Sequence, residues 1–359
     1  MIRVLVVDDS ALVRRLIQTA LVDAADIEVV GTARDGLDAI EKVDELLPDV
    51  VTLDVEMPRL DGLGALAQIR RSHPRLPVIM FSTLTERGAA ATLEALSRGA
   101  SDYVCKPSNT GSVAEGLASV RDQLVPRIRA LAGMRRLTPG AGQAAGPTTG
   151  LAAHRVAPAV RRPSGRSAGP VEALLIGCST GGPDALATLL AQMPATLGVP
   201  VLVVQHMPPV FTTMLAQRLD RISPLAVREA ATGDVPKAGE VLIAPGGQHL
   251  RVKIRAGRVQ VALDQGPQEN FCRPAVDVLF RSAAAVWGGR CVAAILTGMG
   301  QDGLEGVRLL TEAGACVYVQ DEASSVVWGM PGAVAHAGLA DEILPLDRLP
   351  GRLVAAVRR

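Results

Sequence analysis

Several absences narrow the reading of this 359-residue chain. Its cysteines number only five: Cys105, Cys178, Cys272, Cys291 and Cys316. They are odd in number, scattered, and form no Cys-x-x-Cys pair or zinc spacing. That argues against a disulfide framework and a structural zinc site. The thiols read as reduced, in a cytoplasmic protein. Net charge is also missing, with 37 Lys and Arg against 36 Asp and Glu. Nothing in that balance calls for nucleic acid or an anionic membrane as partner. No uninterrupted apolar run is long enough to cross a bilayer. Arg3 and Asp8-Asp9 break the N-terminal apolar segment that a secretory signal would need. Lysine is scarce, confined to Lys42, Lys106, Lys237 and Lys253. With abundant arginine and alanine this hints at a GC-rich genome and says nothing of function. No helix-turn-helix pattern or basic helix is found, which argues against a DNA-binding output.

What is present is organised around Ile176-Gly177-Cys178-Ser179-Thr180-Gly181-Gly182. An apolar run, Ala173 to Ile176, leads in, and a helical pattern, Ala185 to Met193, follows. The stretch reads as buried strand, glycine-rich turn and helix start. The turn puts the Ser179 hydroxyl at a helix N-terminus, where free N–H groups and the helix dipole favour negative charge. Ser179 is therefore either an anion binder or a nucleophile. The turn lacks G-x-G-x-x-G and a Walker lysine, which weakens the phosphate reading.

Taken in order, the chain opens with an apolar strand at Ile2–Val7 that ends in Asp8-Asp9-Ser10. Helical spacing follows at Leu12, Val13, Leu16, Ile17, Ala20 and Leu21, with Ser10 as N-cap. Further strands are expected at Ile27–Thr32, Val50–Leu53, Val78–Phe81 and Tyr103–Cys105. Helical patterns, including Leu37–Leu47 and Ala89–Ser97, separate them. Five strands alternating with helices predict an open, doubly wound parallel sheet, flavodoxin-like in type. Ligands of such sheets sit at the carboxyl ends of the strands, which here carry Asp8, Asp9, Asp54, Ser82 and Lys106. Clustered carboxylates repel one another and suit Mg²⁺, which takes oxygen ligands. A carboxylate beside Mg²⁺ can attack a phosphoryl group. The lysine and the hydroxyl would then bind phosphoryl oxygens. Solvated strand-end acids are the plainer alternative.

This segment, residues 1 to about 120, resembles a response-regulator receiver domain. The resemblance rests on Val6-Val7-Asp8-Asp9-Ser10, on Leu53-Asp54-Val55-Glu56-Met57-Pro58 with Asp61-Gly62, on Met80-Phe81-Ser82, and on Lys106-Pro107. It implies phosphorylation of Asp54 by a histidine kinase. It also implies Mg²⁺ held by Asp9, Asp54 and the Glu56 carbonyl with help from Asp8. Ser82, Tyr103 and Lys106 would respond to the phosphate. Taken alone, Tyr103 reads equally well as a half-buried strand residue.

Residues 121–170 read as a helix end and then a flexible linker rich in Gly, Pro and Arg. Its arginines read as solubilising, and His154 as free. Residues 171–359 read as a second and larger domain. Strands are expected at Ala173–Ile176, Val201–Val204, Val241–Ala244, Val292–Leu296 and Cys316–Val319. Helices are expected at Ala185–Met193, Phe211–Leu219, Ala275–Ala285 and Leu304–Glu312. A hairpin joins Leu250–Ile254 to Arg258–Leu263 across Ala256-Gly257. The fold class is thus α/β in two doubly wound domains, the second a mostly parallel sheet with an antiparallel addition.

Three strands of the second domain end in polar turns: at Ser179, at Gln205-His206-Met207-Pro208, and at Leu296-Thr297-Gly298-Met299-Gly300-Gln301-Asp302-Gly303. Parallel neighbours would gather these turns, placing a serine, a histidine and an aspartate in one cleft. A serine hydroxyl needs an imidazole to take its proton, and the imidazole needs an acid to hold it. Backbone amides in glycine-rich turns can meet the developing oxyanion. Pattern alone barely separates His206 from His249, which follows Pro245-Gly246-Gly247, and leaves His336 behind both. Asp302 reads either as the acid or as an N-cap for Leu304–Glu312, with Asp264, Asp277 and Asp321 as rivals. The G-x-S-x-G match is weak alone, and the order serine, histidine, acid is not that of α/β-hydrolases.

Nearly the whole second domain resembles the catalytic domain of the chemotaxis protein-glutamate methylesterases, the CheB family. Beyond the three turns, the match rests on Ala244-Pro245-Gly246-Gly247-Gln248-His249 and Arg273-Pro274-Ala275-Val276-Asp277-Val278-Leu279-Phe280. The resemblance implies Ser179 as nucleophile, His206 as general base and Asp302 as its orienter. Thr180 and the Met299 backbone would support the oxyanion. It implies demethylation of glutamate methyl esters and deamidation of glutamines on methyl-accepting chemoreceptors, with no cofactor for that reaction. It implies a receiver that covers the active-site end until Asp54 is phosphorylated. Two departures are Cys178, where alanine is usual, and Ala275, where serine is common. A phospho-regulated binding module, with the Ser179 loop holding an anion or peptide, is the rival reading.

Overall fold

The computed structural model describes residues 1–107, 112–137 and 169–358. Most of the expected linker, including His154, lies outside the described residues, and the chain divides into two compact units at residues 151 and 152. The first unit is a five-stranded parallel sheet flanked by helices. Its elements are β1 (Ile2–Val7), α1 (Ala11–Val22), β2 (Ile27–Ala33), α2 (Gly36–Leu46), β3 (Val50–Asp54), α3 (Gly62–Ser72), β4 (Val78–Ser82), α4 (Glu86–Ser97), β5 (Asp102–Cys105) and α5 (Val113–Leu137). Strand order is β2-β1-β3-β4-β5, so the order reverses beside β1 and opens a crevice at its carboxyl end. β1, β3 and β4 are buried along nearly their whole length, which is why they read as unbroken apolar runs. Ser10 caps α1, its side chain accepting from the Val13 amide. Asp61 and Thr85 cap α3 and α4 in the same way. α5 buries Leu124, Ile128, Leu131 and Ala132 and pairs Arg127 with Asp102. Packing in this unit therefore runs past residue 120.

The second unit holds β6 (Ala173–Cys178), α6 (Gly182–Ala191), β7 (Val201–Gln205), α7 (Phe211–Ile222), β8 (Ala226–Glu229), β9 (Glu240–Ile243), β10 (His249–Arg255), β11 (Arg258–Asp264), α8 (Val276–Trp287), β12 (Cys291–Ile295), α9 (Leu304–Glu312), β13 (Cys316–Gln320), α10 (Met330–His336), β14 (Glu342–Leu344) and α11 (Leu349–Val357). Seven strands pair in the order β14-β13-β12-β6-β7-β9-β8, all parallel. The hairpin β10–β11 turns at Ala256-Gly257 but forms its own two-stranded sheet rather than adding to the large one. Val252, Leu250 and Val261 of that hairpin pack into one core with Leu279, Phe280 and Ala283 of α8. The chain leaves β6 toward β7 on one side and returns to β12 on the other. β6 is thus the switch point of this sheet, and the turn after it carries Ser179.

Candidate active site

Three adjacent strands bring three turns to one end of the large sheet. Ser179 follows β6, His206 follows β7 and Asp302 lies beyond β12. Backbone hydrogen bonds bind the turns together. The Ser179 amide donates to the Thr297 carbonyl at 3.0 Å, and the His206 amide to the Cys178 carbonyl at 3.1 Å. Gln205 adds a clamp, its Nε2 donating to the carbonyls of both Ser179 (3.0 Å) and His206 (3.1 Å). Gly298 is there because the space is not: a Cβ would lie 3.0 Å from the Ser179 Cβ and 2.4 Å from the Met330 Sδ.

His206 Nε2 meets Asp302 Oδ2 at 2.7 Å. Asp302 is almost fully buried, yet its carboxylate is heavily hydrogen-bonded. Oδ2 also accepts from the Val276 amide at 2.6 Å, while Oδ1 accepts from the Asp277 amide (3.1 Å), the Gly303 amide (3.0 Å) and Asn270 Nδ2 (3.0 Å). Burial works against its charge, but His206 and the amides hold the carboxyl below its ordinary range. The structure thus corrects the N-cap alternative. Gly303 is the N-cap residue of α9, while Asp302 accepts from the first amides of α8. α8 needs that remote carboxylate because its own N-cap residue, Ala275, has no side chain that can serve.

The rival residues have other partners. His249 is fully buried, with Nε2 facing the Pro267 carbonyl at 2.9 Å and Nδ1 accepting from the Ala275 amide. His336 packs edge-on against Trp328. Asp264 binds Arg251 and Asp321 binds Ser324. Asp277 lies behind the site, joined to Asp302 through Asn270, and burial pushes its carboxyl up to about 6.

Asn270 and Cys272 escape the sequence reading, which takes Gln205 only as part of a polar turn. Asn270 bridges two carboxylates, Gln205 ties two turns, and Cys272 Sγ sits 3.4 Å from His206 Nδ1. Their neighbours in sequence carry no pattern that announces those contacts. Gln205 alone had a signal, as a polar residue ending an apolar strand. Among the described residues no hydrogen bond joins the Ser179 hydroxyl to His206, and the thiol of Cys272 faces the nitrogen that Asp302 leaves open. Unliganded sites commonly close such contacts only with substrate present. Thr180 is buried beside Thr297, and Met299 is half-buried in the turn that Gly298 anchors to Val327 and Met330.

In the first unit, Asp8, Asp9 and Asp54 each offer a carboxylate oxygen within 4.8 Å of one another. Lys106 Nζ contacts Asp8 (2.9 Å) and Asp54 (2.8 Å). Burial, joined by the Asp8 charge, pushes Asp54 up to about 6, and burial also raises Asp8. Three acids facing one cation leave excess negative charge in an oxygen-rich setting, which fits a divalent cation. Asp54, Glu56, Ser82 and Lys106 line one pocket of about 220 Å³. Ser82 Oγ donates to the Gly88 carbonyl at 3.1 Å. Tyr103 is buried on β5.

Comparison with known proteins accords with both units. A family model described as CheB methylesterase matches residues 174–353, and one described as response regulator receiver domain matches residues 4–117. The chain is therefore a hydrolase of α/β architecture that carries a receiver domain. A protein-glutamate methylesterase/protein-glutamine glutaminase from a Nocardioides species is 52% identical over 359 residues, covering 100% of this chain and 96% of that protein. One from Trichodesmium erythraeum is 46% identical over 361 residues, covering 99% of each chain. The crystal structure of the Thermotoga maritima CheB methylesterase catalytic domain is 42% identical, with a TM-score of 0.51, and covers 52% of this chain and 99% of that one. The chain belongs to the CheB family of protein-glutamate methylesterase/protein-glutamine glutaminases. No helix among the described residues is long and apolar enough to cross a membrane.

Proposed function

We propose that this enzyme is a cytoplasmic serine hydrolase, switched on by phosphorylation of its receiver, that resets chemoreceptors during adaptation. The substrates are glutamate methyl esters and glutamine side chains on methyl-accepting receptors. Ser179 Oγ attacks the side-chain carbonyl. His206 takes the serine proton on Nδ1, because Asp302 holds Nε2. Asp302 stays ionised and stabilises the imidazolium. Peptide N–H groups about Thr180 and Met299 meet the oxyanion. His206 returns the proton to departing methanol, or to ammonia from glutamine. Water activated by the same imidazole then releases glutamate. Each turnover adds a negative charge to a receptor helix and so alters its packing.

In the receiver, Asp54 accepts phosphate from a histidine kinase. Asp9, Asp54, the Glu56 carbonyl and Asp8 would hold Mg²⁺, which when bound supplies positive charge against the carboxylates and the phosphoryl oxygens. Lys106 is placed to bind the phosphoryl group. Ser82 gives up the Gly88 carbonyl to do the same, and Tyr103 shifts with it. One observation supports the hydrolase reading above the rest: the His206–Asp302 contact, made by a buried carboxylate on turns that are bonded to that of Ser179. A binding loop has no need of an oriented imidazole. The test is a fluorophosphonate probe, from which an activated serine displaces fluoride. The label should map to Ser179 and vanish in His206→Gln. Labelling that survives in His206→Gln, or maps elsewhere, contradicts the reading.

A further inference from the structure

The nitrogen that Ser179 needs is engaged by another residue. Asp302 occupies His206 Nε2, and Cys272 Sγ stands 3.4 Å from Nδ1. Cys272 is held there by design of its turn. Glu269 and Cys272 exchange backbone hydrogen bonds of 3.1 and 2.8 Å. Between them Asn270 and Phe271 take left-handed backbone angles, φ 51° and 61°, which cost energy outside glycine and persist only where the surroundings enforce them. Here they are enforced. Arg281 grips Glu269 with two contacts of 2.6 and 2.7 Å, and Asn270 Nδ2 reaches both Asp277 and Asp302. Buried His249 supports the far end through Pro267 and Ala275. The strained turn thus fixes the thiol against the base and the amide against the acid.

We infer that Cys272 is a positioning residue that acts through His206: its thiol holds Nδ1 of the base in the resting enzyme and must release it before Ser179 can be deprotonated. This rests on His206 serving Ser179. A thiol is a weak hydrogen-bond partner, so a serine hydroxyl brought in with substrate can displace it. The groups facing His206 are Asp302 and Cys272, with Asp277 and Arg281 behind them. Burial disfavours the charged imidazole, but Cys272 and Asp302 together raise its pKa to about 10. An imidazole that keeps its proton is not a base, so the contact restrains the reaction at neutral pH. Three other thiols are placed differently: Cys105, Cys178 and Cys291 are pushed up by burial, and among the described residues no hydrogen bond joins them to an imidazole.

The arrangement also makes Cys272 the point at which a soft electrophile stops the enzyme. With iodoacetamide the Cys272 sulfur forms a bond to the methylene carbon, and the carbon–iodine bond breaks to release iodide. The thiol proton is lost to water. The carbamidomethyl group then lies against the base and keeps Ser179 from it.

The test has two arms on the full-length enzyme. In the first, the His206 ring is titrated by NMR in the native chain and in Cys272→Ala, with His206→Gln assigning the signal. Loss of the thiol should move the His206 midpoint about one pH unit toward acid, as loss of a close partner does. The rise of kcat/KM with pH should move with it. An unmoved midpoint overturns the proposal. In the second, iodoacetamide should inactivate the native enzyme in step with Cys272 modification followed by peptide mass, while Cys272→Ala keeps its own starting rate under the same treatment. Full modification of Cys272 with undiminished activity also overturns it, and needs no variant to fold. Failure of the serine reading shows separately, as hydrolysis that persists in Ser179→Ala.

Discussion

Asp302 is where the site's parts meet. Its two oxygens take His206, Asn270 and three backbone amides, so it fixes the His206 ring, starts α8 and stays charged while buried. Asp302→Asn keeps the shape but turns an acceptor into a donor facing other donors. We expect kcat to fall roughly 10³- to 10⁴-fold with KM little changed, the pattern of a base left in the wrong tautomer. Equal losses in Asp302→Asn and Asp321→Asn would show that Asp302 has no special part. This acid was ambiguous in sequence because an aspartate just before a helix is also a common cap. What sets Asp302 apart from its rivals is a contact between residues 96 positions apart. Cys272 and Asn270 were illegible for the same reason, since a strained turn packed against distant residues leaves no local period.

At the scale of elements, the β6–α6 turn works only because the neighbouring turn yields space at Gly298. Gly298→Ala would press its methyl against Ser179 and Met330. A stability loss of about 1–3 kcal/mol is expected, as for other overpacked sites, with a larger fall in kcat than in KM. Gly351→Ala in α11 meets nothing within 4 Å and serves as control. Thermal unfolding and steady-state rates of the two variants check this, and equal behaviour would contradict it. Elements with strong patterns were legible in sequence. The strands of both sheets that face apolar layers were found to within a residue or two, and α9 at its observed bounds, Leu304–Glu312. Short edge strands were not: β8 has four residues and β14 three, too few for a period. α10 opens on Met330-Pro331-Gly332, a poor helix signal that packing overrides. The hairpin's pairing was legible from its turn, but its separation from the large sheet is a tertiary fact.

For the whole molecule, the receiver should respond to Mg²⁺ and pH together. Asp54 has its carboxyl raised to about 6 by burial and by Asp8, so its ionised form costs stability in the fold. Without a divalent cation the first unit should therefore gain stability as pH falls through about 6. Mg²⁺ should flatten that dependence, and its affinity should fall as Asp54 takes up a proton. Calorimetric unfolding with and without Mg²⁺ measures both; a stability independent of pH and of Mg²⁺ would contradict the assigned acid cluster. Asp54→Asn should leave basal hydrolysis in place and abolish its response to a small phosphodonor. A response that persists would move the phosphorylation site elsewhere.

Acyl transfer by Ser179 under receiver control is the step on which the proposed function stands. Its most direct test is methanol release from a methylated receptor fragment, comparing the native chain with Ser179→Ala, each with and without a phosphodonor and Mg²⁺. We expect release that rises with phosphodonor in the native chain and is absent from Ser179→Ala under both conditions. Release that continues in a folded Ser179→Ala would contradict it.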